Sequence, residues 1–197
     1  MSLFDLQLPK TVSKALNLPA NNPRRQQINV LKKLLRQARF TQFGQTYRFD
    51  EILLSKHPGK KFQELVPTYN YNKIYNEWWH KTLEGVPDVC WPGKIKFYAL
   101  SSGTSESSSK YIPVTNDLLK GNKVVMLKQL FSLRHYQDVP FSSLGRGWLT
   151  LGGSTDLQKE AAGYYAGDLS GITAKKAPFW FQPFYKPGRK IAKERDW

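Results

Sequence analysis

One stretch near the middle of the sequence limits the possible fold more than any other part of the chain. From Phe97 to Thr115 it reads FYALSSGTSESSSKYIPVT, an apolar run that breaks into a hydroxyl-rich loop and resumes after a lysine. Residues 95–100 have the character of a strand, and residues 111–114 can return as a second strand. The sequence therefore predicts a strand, loop and strand unit that delivers the loop at the end of its first strand.

The loop has the residue types of an anion-binding site. Gly103 permits a positive φ angle and a close approach of the backbone, so successive N–H groups can point at one anion. Lys110 has a flexible stem that can bring a compact positive charge to a phosphate held over the loop. We predict that Lys110 acts in catalysis by neutralising the negative charge of the phosphates, or else that it anchors the loop. The predicted phosphate cradle consists of Ser101, Ser102, Gly103, Thr104 and Ser105.

An ordinary solvated loop is the alternative interpretation, because serine and glycine are common turn residues. The stretch matches neither G-x-x-x-x-G-K-[ST] nor G-x-G-x-x-G, so it is neither a Walker loop nor a dinucleotide fingerprint. Anion binding here must use a different arrangement of donors.

The loop resembles the ATP phosphate loop of acyl-adenylate-forming enzymes, and the chain looks closest to the auxin-responsive acyl acid amido synthetases and their bacterial relatives. The resemblance starts from residues 101–105 with Lys110 and residues 111–115, and it covers most of the chain. One departure is Ser107, where that family commonly has a second glycine. Further segments that match in order and spacing are TQFGQTY at 41–47, LVPTY at 65–69, GVPDV at 85–89, WPG at 91–93 and GDLSGI at 167–172.

The resemblance implies an α/β fold, with a mixed sheet covered by helices, that forms part of a large N-terminal domain. It implies that a carboxylic acid is activated with ATP and Mg²⁺ to an acyl-adenylate, and that the acyl group then passes to an amine, commonly an amino acid. We expect residues 1–197 to be an N-terminal fragment of this ATP-binding adenylation domain, inactive alone, with the rest of the N-terminal domain and the C-terminal domain beyond Trp197. In the resembled family, the helix after the loop borders the acyl pocket. The sequence identifies neither acyl-pocket residues nor ligands for Mg²⁺.

Composition sets outer bounds on the class of protein. With 197 residues, 40% of them hydrophobic, the chain can bury the core of one sizeable domain. No apolar run approaches the roughly 18 to 20 residues that span a bilayer. The first residues of the sequence do not show the basic region followed by an apolar region that is typical of a signal peptide. The single cysteine, Cys90, excludes an internal disulfide and favours packing over a nucleophilic role. We therefore expect a cytoplasmic protein without a membrane partner.

The formal net charge of +15 supports a rival hypothesis from another class. A basic module that binds nucleic acid without catalysis would carry such an excess of lysine and arginine. The charges are spread through the chain, however, and no zinc-finger, basic-zipper or RNA-recognition signature accompanies them. We rank this hypothesis second, and filter binding across a salt series distinguishes it, because nucleic-acid affinity falls steeply with salt.

Apolar spacing and capping residues predict several helices. One begins at Pro23 after an Asn22 cap and is ended by Gly44; others cover residues 49–54, 62–66 and 70–84. The faces predicted to be buried are Ile28, Leu31, Leu34, Leu35 and Ala38 in the first helix and Leu118, Leu119, Val125, Met126, Leu130 and Leu133 in a helix after Asn116.

The rest of the chain gives weaker signals. Gly147–Leu151 is expected to be a buried strand, residues 152–154 a simple turn and residues 156–176 a loop. The three histidines, at positions 57, 80 and 135, have no partner at ligand spacing, so we expect them to be structural or exposed.

Overall fold

The computed structural model describes residues 23–101, 110–132, 142, 145–150, 152–188 and 190–194. The chain divides into two compact units by its internal contacts. Asn17–Ile95 is called the helical unit here, and the described residues from Lys96 onward are called the sheet unit.

The helical unit consists of short helices joined by tight turns. Pro23 begins its longest helix, since proline at the first helical position loses no hydrogen bond. The helix bounds are α1 Pro23–Ala38, α2 Gln42–Thr46, α3 Phe49–Leu54, α4 Pro58–Leu65, α5 Tyr71–Ile74 and α6 His80–Leu83, with a π-helical turn at Tyr75–Trp79 between the last two. The helices predicted at 49–54 and 70–84 are therefore confirmed, and the one predicted at 62–66 begins earlier.

The core of the helical unit lies between α1 and α3. Leu35, Ala38, Phe49 and Ile52 are buried together there. Leu34 was predicted to join this face but is 45% exposed, because the buried stripe of α1 is narrower than the apolar pattern. None of the helices that the structure describes is both long and apolar enough to cross a membrane.

Gly44 does not end the first helix, and that prediction is wrong. Helix α1 ends at Ala38, and Gly44 is buried inside α2. The reason for a glycine is steric, since a Cβ atom at Gly44 would collide with the carbonyl oxygen of Ala38. Thr41 caps α2, because its Oγ1 accepts a hydrogen bond from the Gly44 N–H at 3.1 Å.

The sheet unit contains two small sheets and two longer helices. Its elements are β1 Phe97–Ser101, β2 Lys110–Val114, α7 Asn116–Ser132, β3 Trp148–Leu149, β4 Gln158–Lys159, β5 Tyr165–Gly167, α8 Leu169–Lys175, a 3₁₀ turn Phe179–Phe184, β6 Tyr185–Lys186 and a 3₁₀ turn Ile191–Lys193. One sheet has the strand order β2-β1-β5-β4, and the other pairs β3 with β6. Because β1 is antiparallel to β2 and parallel to β5, the expected mixed sheet is confirmed.

One face of the larger sheet carries the core of this unit. Phe97, Ala99 and Val114 from the sheet pack with Leu119 of α7 and Ile172 of α8. Helices α7 and α8 therefore both contribute to the layer on this face, which gives the predicted α/β architecture.

The loop predicted for residues 156–176 is wrong, because this region contains β4, β5 and α8. Strand β5 has only three residues and no alternating pattern of its own. It is a strand because its backbone pairs with β1 on one side and β4 on the other. Such a contribution from distant partners leaves little trace in a local sequence window.

Candidate functional site

The central feature of the candidate site is the hairpin of β1 and β2. Its five residue pairs run from Phe97 opposite Val114 to Ser101 opposite Lys110. Hence the two described residues of the predicted phosphate site face each other where the strands enter the connecting loop. The remaining four, Ser102, Gly103, Thr104 and Ser105, lie outside the described residues.

Strand alternation shows which face of the sheet these two residues share. Successive side chains of a strand point to opposite faces, so Ser101 lies on the face of Phe97 and Ala99. Lys110, two residues before Ile112 and four before Val114, lies on the same face, and its side chain is exposed. This is the face on which α7 and α8 pack.

A large apolar cavity lies among α7, α8 and the smaller sheet. Its volume is about 670 Å³, which lies within the range of roughly 300 to 1,000 Å³ of typical ligand sites. The apolar side chains that line it include Met126, Trp148, Leu169, Pro178, Phe181 and Tyr185. Its polar contributions include Asn122 and Lys123 of α7 and Thr173 of α8. The cavity, called the apolar cavity below, can take a hydrocarbon group and offers one lysine for an acidic group.

The model of the GH3 family N-terminal domain matches residues 12–196. The chain belongs to the GH3 family. The resemblance of its motifs to acyl acid amido synthetases is therefore confirmed at the level of the family.

Solved GH3 structures share the fold. The structure of GH3.15 acyl acid amido synthetase matches with a TM-score of 0.62 and 22% identity, over 89% of this chain and 30% of the other. AtGH3.15 acyl acid amido synthetase in complex with 2,4-DB matches with a TM-score of 0.60 and 22% identity, over 86% of this chain and 30% of the other. The chain thus spans about 30% of the length of these relatives. A comparison with curated protein sequences found no match.

Helix α7 of this GH3 chain presents inward only part of the face that the sequence predicted. Leu118 and Val125 were expected in the core but are 44% and 55% exposed. The inner positions comprise Leu119 and Met126, as predicted, and also Asn122 and Lys123, which were not predicted. Polar residues occupy two of these positions because this part of the helix borders a cavity. Asn122 and Lys123 lie three and four residues after Leu119, so they share its side of the helix. This spacing was the signal in the sequence for polar residues in a pocket.

The turn at residues 152–154 is packed more tightly than a simple turn requires. Gly153 donates its N–H to Ser170 Oγ at 2.8 Å, and a Cβ atom there would collide with the Asp168 side chain. A Cβ atom on Gly171 would collide with the carbonyl oxygen of Ser154. The glycines thus let this turn cross directly over the start of α8, which includes the GDLSGI motif. A polar cleft of about 350 Å³ borders the crossing.

Two side chains of the helical unit that could be reactive, Cys90 and His80, have structural surroundings. Burial raises the pKa of Cys90 to about 12, which opposes formation of a thiolate and agrees with the predicted packing role. His80 Nδ1 lies 3.0 Å from the carbonyl oxygen of Tyr75, so this histidine has a backbone partner. His135 lies outside the described residues. Within the described part of the chain, no three or more His, Cys, Asp or Glu side chains group as metal ligands.

Proposed function

We propose that this chain is the N-terminal part of an enzyme that activates a carboxylic acid with ATP to an acyl-adenylate and then transfers the acyl group to an amine or amino acid. Family membership supports this proposal, because the solved GH3 relatives above are named acyl acid amido synthetases. The observation that carries it for this chain is the pairing of Ser101 with Lys110 across the mouth of the hairpin loop.

A hydroxyl and an ammonium group on one face of the sheet fit a phosphate group. Neutral donors and a positive charge at one point stabilise negative charge that increases as a phosphoryl bond breaks. In the proposed enzyme, residues 101–105 cradle the phosphates, and Lys110 neutralises their charge or anchors the loop. ATP, when bound, supplies the leaving group that turns the acid into a reactive acyl-adenylate.

The carboxylate and the triphosphate repel each other, so the chain must hold both in line. We propose the apolar cavity for the body of the acid, since it is lined by α7 and α8, the two helices that pack on the face of the sheet that Ser101 and Lys110 share. Lys123 can attract the carboxylate electrostatically. We propose Mg²⁺ only as the ion that accompanies ATP, and no residue of the described chain is assigned to it.

The proposal is tested by ATP–pyrophosphate exchange with a panel of carboxylic acids. The assay uses the intact protein, meaning the full-length enzyme of which this chain is the proposed N-terminal part. We expect exchange that depends on an apolar acid, and acyl transfer when amino acids are added. Exchange that no acid in the panel stimulates, in protein shown to be folded, would contradict the proposal.

A further inference from the structure

A second cavity in the sheet unit borders the apolar cavity. It has a volume of about 460 Å³, and the residues that line it include Lys175, Lys193, Gln182 and Asp156. Ala174 and Tyr185 line both this cavity and the apolar cavity. The two spaces therefore share a wall made of one methyl group and one phenol ring, and the ring is the larger part of it.

Backbone pairing fixes Tyr185 in this wall. Tyr185 is the first residue of β6 and lies opposite Trp148 of β3 in a parallel pair. The pairing continues through a hydrogen bond from the Thr150 N–H to the Lys186 carbonyl oxygen at 3.0 Å. The rings of Trp148 and Phe181 are 5.8 Å apart, and those of Phe181 and Tyr185 are 6.4 Å apart. A ring held by its own strand and by an aromatic neighbour forms a defined boundary.

The chemistry changes across this boundary. The apolar cavity is bordered mainly by hydrocarbon and aromatic side chains, whereas the described lining of the second cavity includes two exposed lysines and one carboxylate. Its net positive charge favours an anionic group. An acid that extended past the position of the Tyr185 ring would therefore be favoured if it carried a second anionic group at its far end.

We infer that Tyr185 determines specificity by ending the apolar cavity, so that the enzyme accepts acids with a compact apolar body and discriminates against acids with an anionic group at the far end. This inference rests on the proposed function, because it names the class of acid for the same site. Tyr185 acts by shape, and it has no part in the chemical step.

The test uses two acids that differ in one group, 4-phenylbutyrate and 4-(4-carboxyphenyl)butyrate, in the ATP–pyrophosphate exchange assay. Wild-type protein and Tyr185→Phe, which keeps the ring, should both prefer the monocarboxylate by at least about tenfold in kcat/KM. Tyr185→Ala opens the wall and should raise kcat/KM for the dicarboxylate by at least about tenfold, mainly through a lower KM. Adding Lys193→Ala should reverse much of that gain, because it removes a cation while the Lys193 carbonyl oxygen can still accept from Ser154 Oγ.

Two results would overturn the inference. One is a Tyr185→Ala variant with the wild-type ratio between the two acids, and the other is an equal gain in Tyr185→Phe. If Tyr185→Ala does not fold, Tyr185→Leu shortens the side chain while it keeps apolar bulk, and it must shift the ratio in the same direction. An unchanged ratio in that folded variant counts equally against the inference.

A binding measurement separates this inference from the proposed function. Trp148 lines the apolar cavity, so acid binding should change its fluorescence, with Trp148→Phe as the control. If no acid supports exchange, the proposed function fails, but the titration still shows whether the Tyr185 variants change which acid binds. If the Tyr185 variants bind the two acids with the wild-type ratio of affinities, the inference that Tyr185 ends the apolar cavity is refuted even without catalysis.

Discussion

The helical unit and the sheet unit both contain segments that resemble the same family, but the physical reasons for those segments differ. In the helical unit, Gln42 and Phe43 donate their backbone N–H groups to the carbonyl oxygens of Asp88 and Val89 at 2.8 and 2.9 Å. The TQFGQTY and GVPDV segments are therefore joined by main-chain hydrogen bonds. In the sheet unit, Ser101 and Lys110 lie opposite each other at the ends of β1 and β2, and the described residues of that unit line several cavities.

A third segment of the helical unit fits the same structural role. Tyr69, in LVPTY, donates its hydroxyl to Glu77 Oε2 at 2.9 Å and accepts from Trp78 Nε1 at 3.0 Å. Its hydroxyl also contacts that of Tyr47, in TQFGQTY. Burial is the largest cause that raises the pKa of Tyr69, so the hydroxyl stays protonated and its hydrogen bonds persist. The comparison teaches that packing and hydrogen bonds explain the shared motifs of the helical unit, whereas the role of the loop motif in the sheet unit stays a proposal.

The largest expected effect is on ATP–pyrophosphate exchange, and it tests whether Lys110 has a chemical role or a structural one. Lys110→Ala should reduce ATP–pyrophosphate exchange by about tenfold to a thousandfold, the range for loss of a preorganised charge that stabilises a transition state. The free energy of unfolding should change little, because the side chain is exposed. Exchange rates and urea unfolding of the intact protein check both statements.

A matched control is Lys120→Ala on α7, since Lys120 is also exposed and its contact with Asp117 is a surface ion pair at 3.5 Å. It should leave exchange unchanged. Unaltered exchange in Lys110→Ala would remove this lysine from the mechanism and would leave the hairpin without its assigned role.

The next effect concerns stability alone. Gly44→Ala places a methyl group against the Ala38 carbonyl oxygen, and the backbone between α1 and α2 must move to accept it. We expect a loss of about 3 kcal/mol in the free energy of unfolding, at the upper end of the range for overpacking. Specific activity per folded molecule should not change.

Gly121→Ala is the matched control for this substitution. Gly121 lies inside α7, and a Cβ atom there would meet nothing within 4 Å. This variant should gain up to about 1 kcal/mol, because alanine is the better helix former. If Gly44→Ala were as stable as wild type, the steric explanation of TQFGQTY would be wrong.

These cases also show what the sequence could predict. The hairpin and the helix at 49–54 follow from local patterns, namely an apolar run interrupted by turn residues and a short amphipathic segment. Gly44 was predicted to end the first helix, which is wrong, because its steric partner is the Ala38 carbonyl oxygen, which no local pattern places beside it. Glycine therefore indicated a constraint without identifying it.

The candidate site was predictable to a different extent. The opposition of Ser101 and Lys110 follows from a hairpin, and it agrees with the predicted phosphate site, while the roles of residues 101–105 and Lys110 stay predictions. The apolar cavity was beyond the sequence, because Lys123, Trp148 and Tyr185 come from segments far apart in the chain. Only the pairing of β3 with β6 and the position of α7 bring them to one space.

The smallest effect tests how closed the helical unit is around Cys90, which follows the GVPDV segment. Burial raises the pKa of its thiol to about 12, and the charge of Lys81 opposes the shift only in part. An unfolded chain releases the proton near its ordinary pKa of about 8.5, whereas the folded chain retains it. The free energy of unfolding therefore falls as the pH rises from about 8.5 toward 12. Below about pH 8.5 the thiol is protonated in both states, and its full contribution to stability is present.

At pH 10 this amounts to about 2 kcal/mol of lost stability, since each pH unit above 8.5 is worth about 1.4 kcal/mol. The measurement is urea unfolding of wild type and Cys90→Ala at pH 7 and pH 10. Comparing each protein with itself cancels the cost of the smaller side chain, so wild type should lose about 2 kcal/mol more than the variant between the two pH values. Tyr69→Phe is the control for the second raised pKa, which acts only above about pH 10 and should leave this difference intact. Equal losses in wild type and Cys90→Ala would mean that water reaches the thiol, and the helical unit would then be more open than its hydrogen bonds and aromatic packing indicate.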